Sequence, residues 1–158
     1  TRPIRSGEAE GMEYHFTDIA GMEELTKAGK VVEARCYHTV HGDWYYFTVD
    51  DGQIDLENRN YLIIGTLESY GKMREYFGPE NVAPLYIALD GGERLERALK
   101  RERQQKEPKY KEMCRRFLAD EEDFADDKLK ALGISLFYEN GDLQDCFERI
   151  KKDILRQQ

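Results

Sequence analysis

Two arginines, Arg2 and Arg5, stand three apart around Pro3 in the opening stretch TRPIRSGEAEGMEYHF. Pro3 is excluded from a helix interior and drives Arg2 towards an extended backbone. Gly7 and Gly11 further discourage regular structure. The spacing predicts two guanidinium groups on a constrained loop. A planar guanidinium bonds two oxygens at once, so such a loop suits a phosphate group; two solvated surface charges are the plain alternative. A second basic feature follows later. Arg94, Arg97 and Arg101 are spaced to share one helix face, beside a stripe carrying Leu95 and Leu99. This face either delivers positive charge to a polyanion or is simply solvated. His15, His38 and His41 lack a serine or carboxylate partner at a suggestive spacing and read as structural or exposed.

Composition narrows the classes of partner. The 158 residues carry a net charge of −8, which argues against general nucleic-acid binding. Residues 94–116 nevertheless hold ten Lys or Arg against four acids, and residues 120–127 hold six acids with no base. A local basic cluster on an acidic chain suits a small polyanionic ligand. Cys36, Cys114 and Cys146 are odd in number, and no two of them have metal-ligand spacing. They read as free, buried or half-buried thiols in a reducing compartment. No metal site is expected. No apolar stretch approaches the roughly 20 residues that a bilayer span needs, and no signal peptide is visible. A cytoplasmic location is expected.

The elements that must position these groups are legible as patterns. EYHF (13–16) predicts a short strand. Asp18 or Thr17 caps a helix over about 18–28, ended by Gly29. VVEARCYHTV (31–40), a turn at HGD (41–43) and WYYFTV (44–49) predict a hairpin. YLIIGT (61–66) is a continuous apolar run and predicts a buried parallel strand. Helices are expected at about 67–77, 92–105, 108–125 and 143–155, with another buried strand at VAPLYIAL (82–89) and a strand and a turn in ISLFYENGD (134–142). Alternating strand and helix after residue 60 predicts an α/β chain with a parallel sheet. The expected divisions are a mixed antiparallel segment at 1–60, core at 61–90, basic helices at 91–125, and a closing strand and helix at 126–158.

The opening stretch resembles the nucleoside-monophosphate-binding segment of guanylate kinases, approximately T-R-x-P-R-x-G-E-x-x-G-x-x-Y-x-F. Arg2, Arg5, Gly7, Glu8, Gly11, Tyr14 and Phe16 match it, while Pro3 and Ile4 invert the inner pair. GKVVEAR is similar to the family segment that carries the guanine-reading acid, here Glu33. GDWYYFT resembles the next segment, with Tyr46 and Thr48 matching and Phe47 in place of glycine. LERALKRERQQ and CRRFLADEEDF resemble the arginine-bearing lid and the helix after it, and ISLFYENGDLQDCFERI resembles the closing segment.

The resemblance implies a P-loop-kinase-like parallel sheet core flanked by helices, with a small antiparallel GMP-binding insert and a helical lid. It implies guanylate kinase activity, the ATP-dependent conversion of GMP to GDP, with magnesium accompanying ATP. Arg2, Arg5, Tyr14 and Tyr46 are the expected phosphate ligands. Glu33, Thr48 and Thr66 are expected at guanine, where a carboxylate accepts from both N1–H and N2–H. Arg97, Arg101 and Arg116 are expected to neutralise the moving phosphoryl group. GMP and ATP are the expected partners, with neither nucleic acid nor membrane.

Two departures stand out. No glycine-rich loop ending in Gly-Lys-Ser/Thr occurs anywhere in the chain. Its place in the family is just upstream of Thr1, so a fragment is expected, one that carries the GMP site and lid without the ATP phosphate loop. YLIIGTLES also has Ile64 and Thr66 where the family has acids, with Glu68 as a possible replacement. A non-catalytic guanylate kinase-like module that binds a nucleotide or a phosphorylated partner is the alternative. A kinase for another monophosphate is a third.

Overall fold

The structure is a computed structural model and describes residues 1–156 except Ser6, Glu13, Val40 and His41. The chain is α/β and divides into two compact units, Thr1–Val82 and Ala83–Gln158.

The first unit contains α1 (Ile19–Lys27), β1 (Val31–Thr39), β2 (Gly42–Val49) and α2 (Leu67–Phe77). Asp18 caps α1 by accepting from the Gly21 N–H at 2.8 Å. Gly29 follows its end at φ 69°, a left-handed turn that residues with a Cβ rarely adopt. The two strands pair antiparallel, as the alternation predicts. Their register shifts by one residue between Val31 and Glu33, and beyond that irregularity Glu33 faces Thr48, Arg35 faces Tyr46 and Tyr37 faces Trp44. Side chains alternate across a strand, so these six share one face of the hairpin. Ala34, Cys36 and His38 share the other face with their partners Phe47, Tyr45 and Asp43. Thr66 caps α2 by accepting from the Ser69 N–H. This helix packs on β1 and buries Leu67, Ser69 and Met73.

In the second unit, β3 (Tyr86–Ala88) and β4 (Phe137–Glu139) form a parallel pair. Between them lie α3 (Gly91–Arg103), α4 (Tyr110–Asp123) and α5 (Asp126–Ala131), and α6 (Leu143–Arg156) follows β4. Short α5 was not anticipated from the pattern. Asp90 caps α3 through the Gly92 and Glu93 N–H groups, and Asp142 accepts from the Asp145 N–H at the start of α6. Leu129, Ile134, Tyr138 and Cys146 are buried, and Tyr138, only 1% exposed, is the best covered of them.

Three strand expectations are corrected. YLIIGT (61–66) forms no strand, and Leu62, Ile63 and Ile64 are solvent-exposed, Ile64 completely. A continuous apolar run reads as buried only when neighbours cover both of its faces. Among the described residues no strand pairs with this run, which leads into the Thr66 cap. The parallel arrangement is therefore confined to the β3–β4 pair. EYHF contributes only an isolated bridge between Glu10 and Tyr14; Glu13 lies outside the described residues. Of 82–89, only Tyr86–Ala88 is strand, and it is not buried: Tyr86 and Ala88 are half-buried and Ile87 is exposed. The predicted turn at 41–43 is also partly outside the described residues, and β2 already begins at Gly42.

Candidate functional site

The shared hairpin face and the buried side of α2 converge on Glu33. This residue is 6% exposed, although a lone buried carboxylate is costly. Three donors from three elements offset that cost. The Thr48 hydroxyl of β2 donates to one carboxylate oxygen at 2.8 Å. Arg35 Nε, two residues along β1, donates to the other at 3.2 Å. The Ser69 hydroxyl of α2 donates to that same oxygen at 3.2 Å. The Thr66 hydroxyl lies 3.4 Å from the Ser69 hydroxyl, so a chain of donors runs Thr66, Ser69, Glu33. A carboxylate offers about four acceptor positions, and a flat pair of N–H donors suits it.

One strand step away on the same face stands Tyr46, roughly 7 Å along by strand geometry. Its hydroxyl accepts from Arg2 Nε at 2.7 Å. Arg2 is 5% exposed. Its terminal nitrogens bond both oxygens of Glu8, at 2.7 and 2.5 Å, and the Pro3 carbonyl accepts at 2.9 Å. The guanidinium carbon lies 5.4 Å from the ring centres of Tyr14 and Phe16 and 5.7 Å from that of Tyr46. Tyr14 meets Tyr46 edge-on at 5.6 Å. The Arg2 bonds, then the Arg5 main-chain N–H at 2.8 Å, hold the Glu8 carboxyl down at about 2. The opening loop is also tied to the hairpin, where the Tyr45 N–H donates to the Thr1 hydroxyl at 2.9 Å.

The first unit thus brings together Arg2, Tyr14, Tyr46, Glu33, Thr48 and Thr66. Arg2 commits most of its five donors to Glu8, Tyr46 and Pro3, so it builds the loop as much as it could hold an anion. The exposed Arg5 guanidinium and the Tyr46 hydroxyl hydrogen are better placed to reach a ligand. Phe47 faces Ala34 on the other side of the hairpin, so the missing glycine does not crowd Glu33. Ser69 was not singled out from the sequence, and Glu8 only as a match to the resembled segment, not as a site residue. The threonine cap three residues before Ser69 was the available signal for the first, and the arginine repeat around Pro3 for the second. Glu68 is exposed in the first turn of α2.

Several basic residues of the second unit are engaged within it. Arg94 forms an ion pair with Glu121 and lies 4.7 Å over the Phe117 ring, joining α3 to α4. Arg97 donates to the Gly141 carbonyl at 3.1 Å, and Arg101 is exposed on the same helix. Arg116 donates to Glu112 at 2.9 Å, with Arg115 bonding that acid as well. These bonds, from Arg115 and then Arg116, hold the Glu112 carboxyl at about 2. A separate hollow of about 480 Å³ in this unit is lined by Glu139, Asp142, Asp145 and Glu148 beside Arg149 and Lys152. Four carboxylates make it a poor receptor for phosphate.

The residues around Glu33 do not fit a magnesium site. Glu33 is their single carboxylate, it is already bonded by hydroxyls and Arg35, and Ile64 is an exposed hydrocarbon. Hard cations require several oxygen ligands.

His15 and His38 are exposed, as expected, but each has a carboxylate partner that its spacing did not suggest: His38 pairs with Asp43 at 2.7 Å and His15 with Glu10 at 3.3 Å. His41 lies outside the described residues. Cys36 and Cys114 are exposed free thiols, and Cys146 is buried. No helix of the described residues is long and apolar enough to cross a membrane. No family model matches the chain. Neither the curated proteins nor the solved structures give a match.

Proposed function

We propose that the chain carries the GMP-binding part of a guanylate kinase, an enzyme that transfers the ATP γ-phosphoryl group to GMP and gives GDP. The observation that carries this reading is the buried Glu33 carboxylate, held by Thr48, Ser69 and Arg35 on one face with Tyr46. Guanine presents two adjacent donors, N1–H and N2–H, which a fixed carboxylate accepts; adenine presents an acceptor at N1 and no donor at C2, and so cannot bond the acid. Such a mismatch costs about 1–3 kcal/mol or more. Arg5, Tyr14 and Tyr46 then take the phosphate, with Arg2 fixing the loop and offering its remaining N–H. Arg97, Arg101 and Arg116 would act on the moving phosphoryl group. The finer fold assignment, a P-loop-kinase core with a helical lid, belongs to this proposal. The chain holds no Gly-Lys-Ser/Thr loop, so the proposed enzyme takes its ATP phosphate loop, with magnesium on the nucleotide, from other sequence.

Calorimetry with GMP and AMP tests the binding half. GMP is expected to bind at least about tenfold more tightly, and Glu33→Ala to abolish the preference. Equal affinity for the two nucleotides, or an unchanged preference in Glu33→Ala, would remove the basis of the reading. The catalytic half is tested by assaying the intact gene product with ATP, magnesium and GMP.

A second reading, a non-catalytic module that uses the same pocket, is favoured by the local engagement of Arg94, Arg97 and Arg116. GMP binding without any turnover in the intact product would select it.

A further inference from the structure

The hairpin has a second chemically equipped face, opposite Glu33 and Tyr46. Cys36 and His38 lie two apart on β1 and so point to the same side, and Asp43 of β2 is the cross-strand partner of His38. One donor atom from each of the three lies within 4.8 Å of the others. We propose that Cys36, His38 and Asp43 bind a divalent metal ion of the zinc class, with water completing a tetrahedral shell.

The donor set selects the ion. Sulfur, imidazole nitrogen and one carboxylate oxygen match zinc, whereas calcium and magnesium demand several hard oxygens. Zinc bonds of about 2.0–2.3 Å imply neighbouring ligand atoms about 3.3–3.8 Å apart in a tetrahedron. The widest separation therefore needs to close by about 1–1.5 Å, while His38 and Asp43, already 2.7 Å apart, open slightly; both are small rotamer adjustments for exposed side chains. The backbone places them on paired strands in a fixed register, so little chain order has to be created on binding. Metal would replace the 2.7 Å contact between His38 Nδ1 and Asp43, and would take Cys36 as thiolate.

A solvated His38–Asp43 ion pair accounts for two of the three residues. It does not account for Cys36. Unpaired cysteine is among the most buried residue types, yet Cys36 is exposed here, beside that pair and with the Tyr45 hydroxyl against it. Three protein ligands leave one coordination position open, the pattern of an accessible zinc site rather than a closed structural one.

The test uses the whole chain, reduced and freed of metal, titrated with zinc chloride by calorimetry and with cobalt chloride by absorption spectroscopy. One equivalent is expected to bind, and cobalt is expected to give a thiolate charge-transfer band. Cys36→Ser should abolish that band, while Cys114→Ser keeps it. Loss of an outer-shell partner already weakens metal sites about 10–100-fold, so His38→Ala and Asp43→Asn should each lower zinc affinity at least about tenfold. Circular dichroism verifies that each variant is folded. A wild-type cobalt complex without a thiolate band overturns the proposal whatever the variants do, as does zinc affinity unchanged in folded Cys36→Ser.

Discussion

The Ser69 hydroxyl donates to the Glu33 carboxylate at 3.2 Å, joining residues 36 positions apart in the chain. The bond ties α2 to the hairpin and supplies one of the three donors that make a buried acid tolerable.

Ser69→Ala is therefore expected to destabilise the chain by about 1 kcal/mol, because Glu33 loses a donor while Thr48 and Arg35 remain. Urea unfolding measures this. Glu33→Gln should cost more, about 1–3 kcal/mol, since its amide group turns a donor towards donors. A smaller loss in Glu33→Gln than in Ser69→Ala would show that Glu33 is not held as described.

Acid should act on Glu8. Its carboxyl sits at about 2 in the fold against an ordinary 4.5, because Arg2 and the Arg5 N–H bond the charged form. A lowered folded value adds stability above the ordinary value and loses it as pH falls towards the folded one. Glu8→Gln is expected to melt below the wild type at pH 7, with the gap closing between about 4.5 and about 2. Thermal melts across that window check it; a gap that stays constant down to the acid end would contradict the pairing.

Tyr138 separates packing from hydrogen bonding in the second unit. Its ring is buried, and its hydroxyl reaches Asp153 at 3.2 Å. Burial, with the Asp153 bond second, raises its phenol above the ordinary value. Tyr138→Phe should cost only about 0.5–1.5 kcal/mol. Tyr138→Ala should cost about 3–5 kcal/mol, the range for emptying an aromatic site. Denaturant titration of both variants distinguishes the two contributions.

Ile64 tests the corrected strand. It is fully exposed, so Ile64→Ser should change stability by no more than about 0.5 kcal/mol. A loss of about 2–5 kcal/mol in the same urea experiment would be the signature of a buried strand residue.

Local signals in the chain were enough for the hairpin and for every helix but short α5. Asp18 and Gly29 bracket α1, Thr66 and Gly78 bracket α2, and alternating β-formers specify β1 and β2. Capping, turn geometry and side-chain period act over a few residues, so they can be read without knowing neighbours. At the candidate site, Arg2 and Arg5 stand out by their spacing around Pro3, whereas Tyr14, Glu33, Tyr46 and Thr48 are expected there only through the resemblance to guanylate kinases.

Proximity was not legible. Whether YLIIGT is covered depends on which elements lie beside it, and its composition is the same in a core or in solvent. The pairing of His38 with Asp43 depends on a register that is irregular between Val31 and Glu33. Ser69 gains its role because helix packing carries it to an acid far away in sequence. Likewise, Arg2 spends its donors on Glu8 and Tyr46 because folding closes the opening loop onto the hairpin. Burial and hydrogen-bond partnership are properties of pairs of distant groups, and only their packing in three dimensions assigns them.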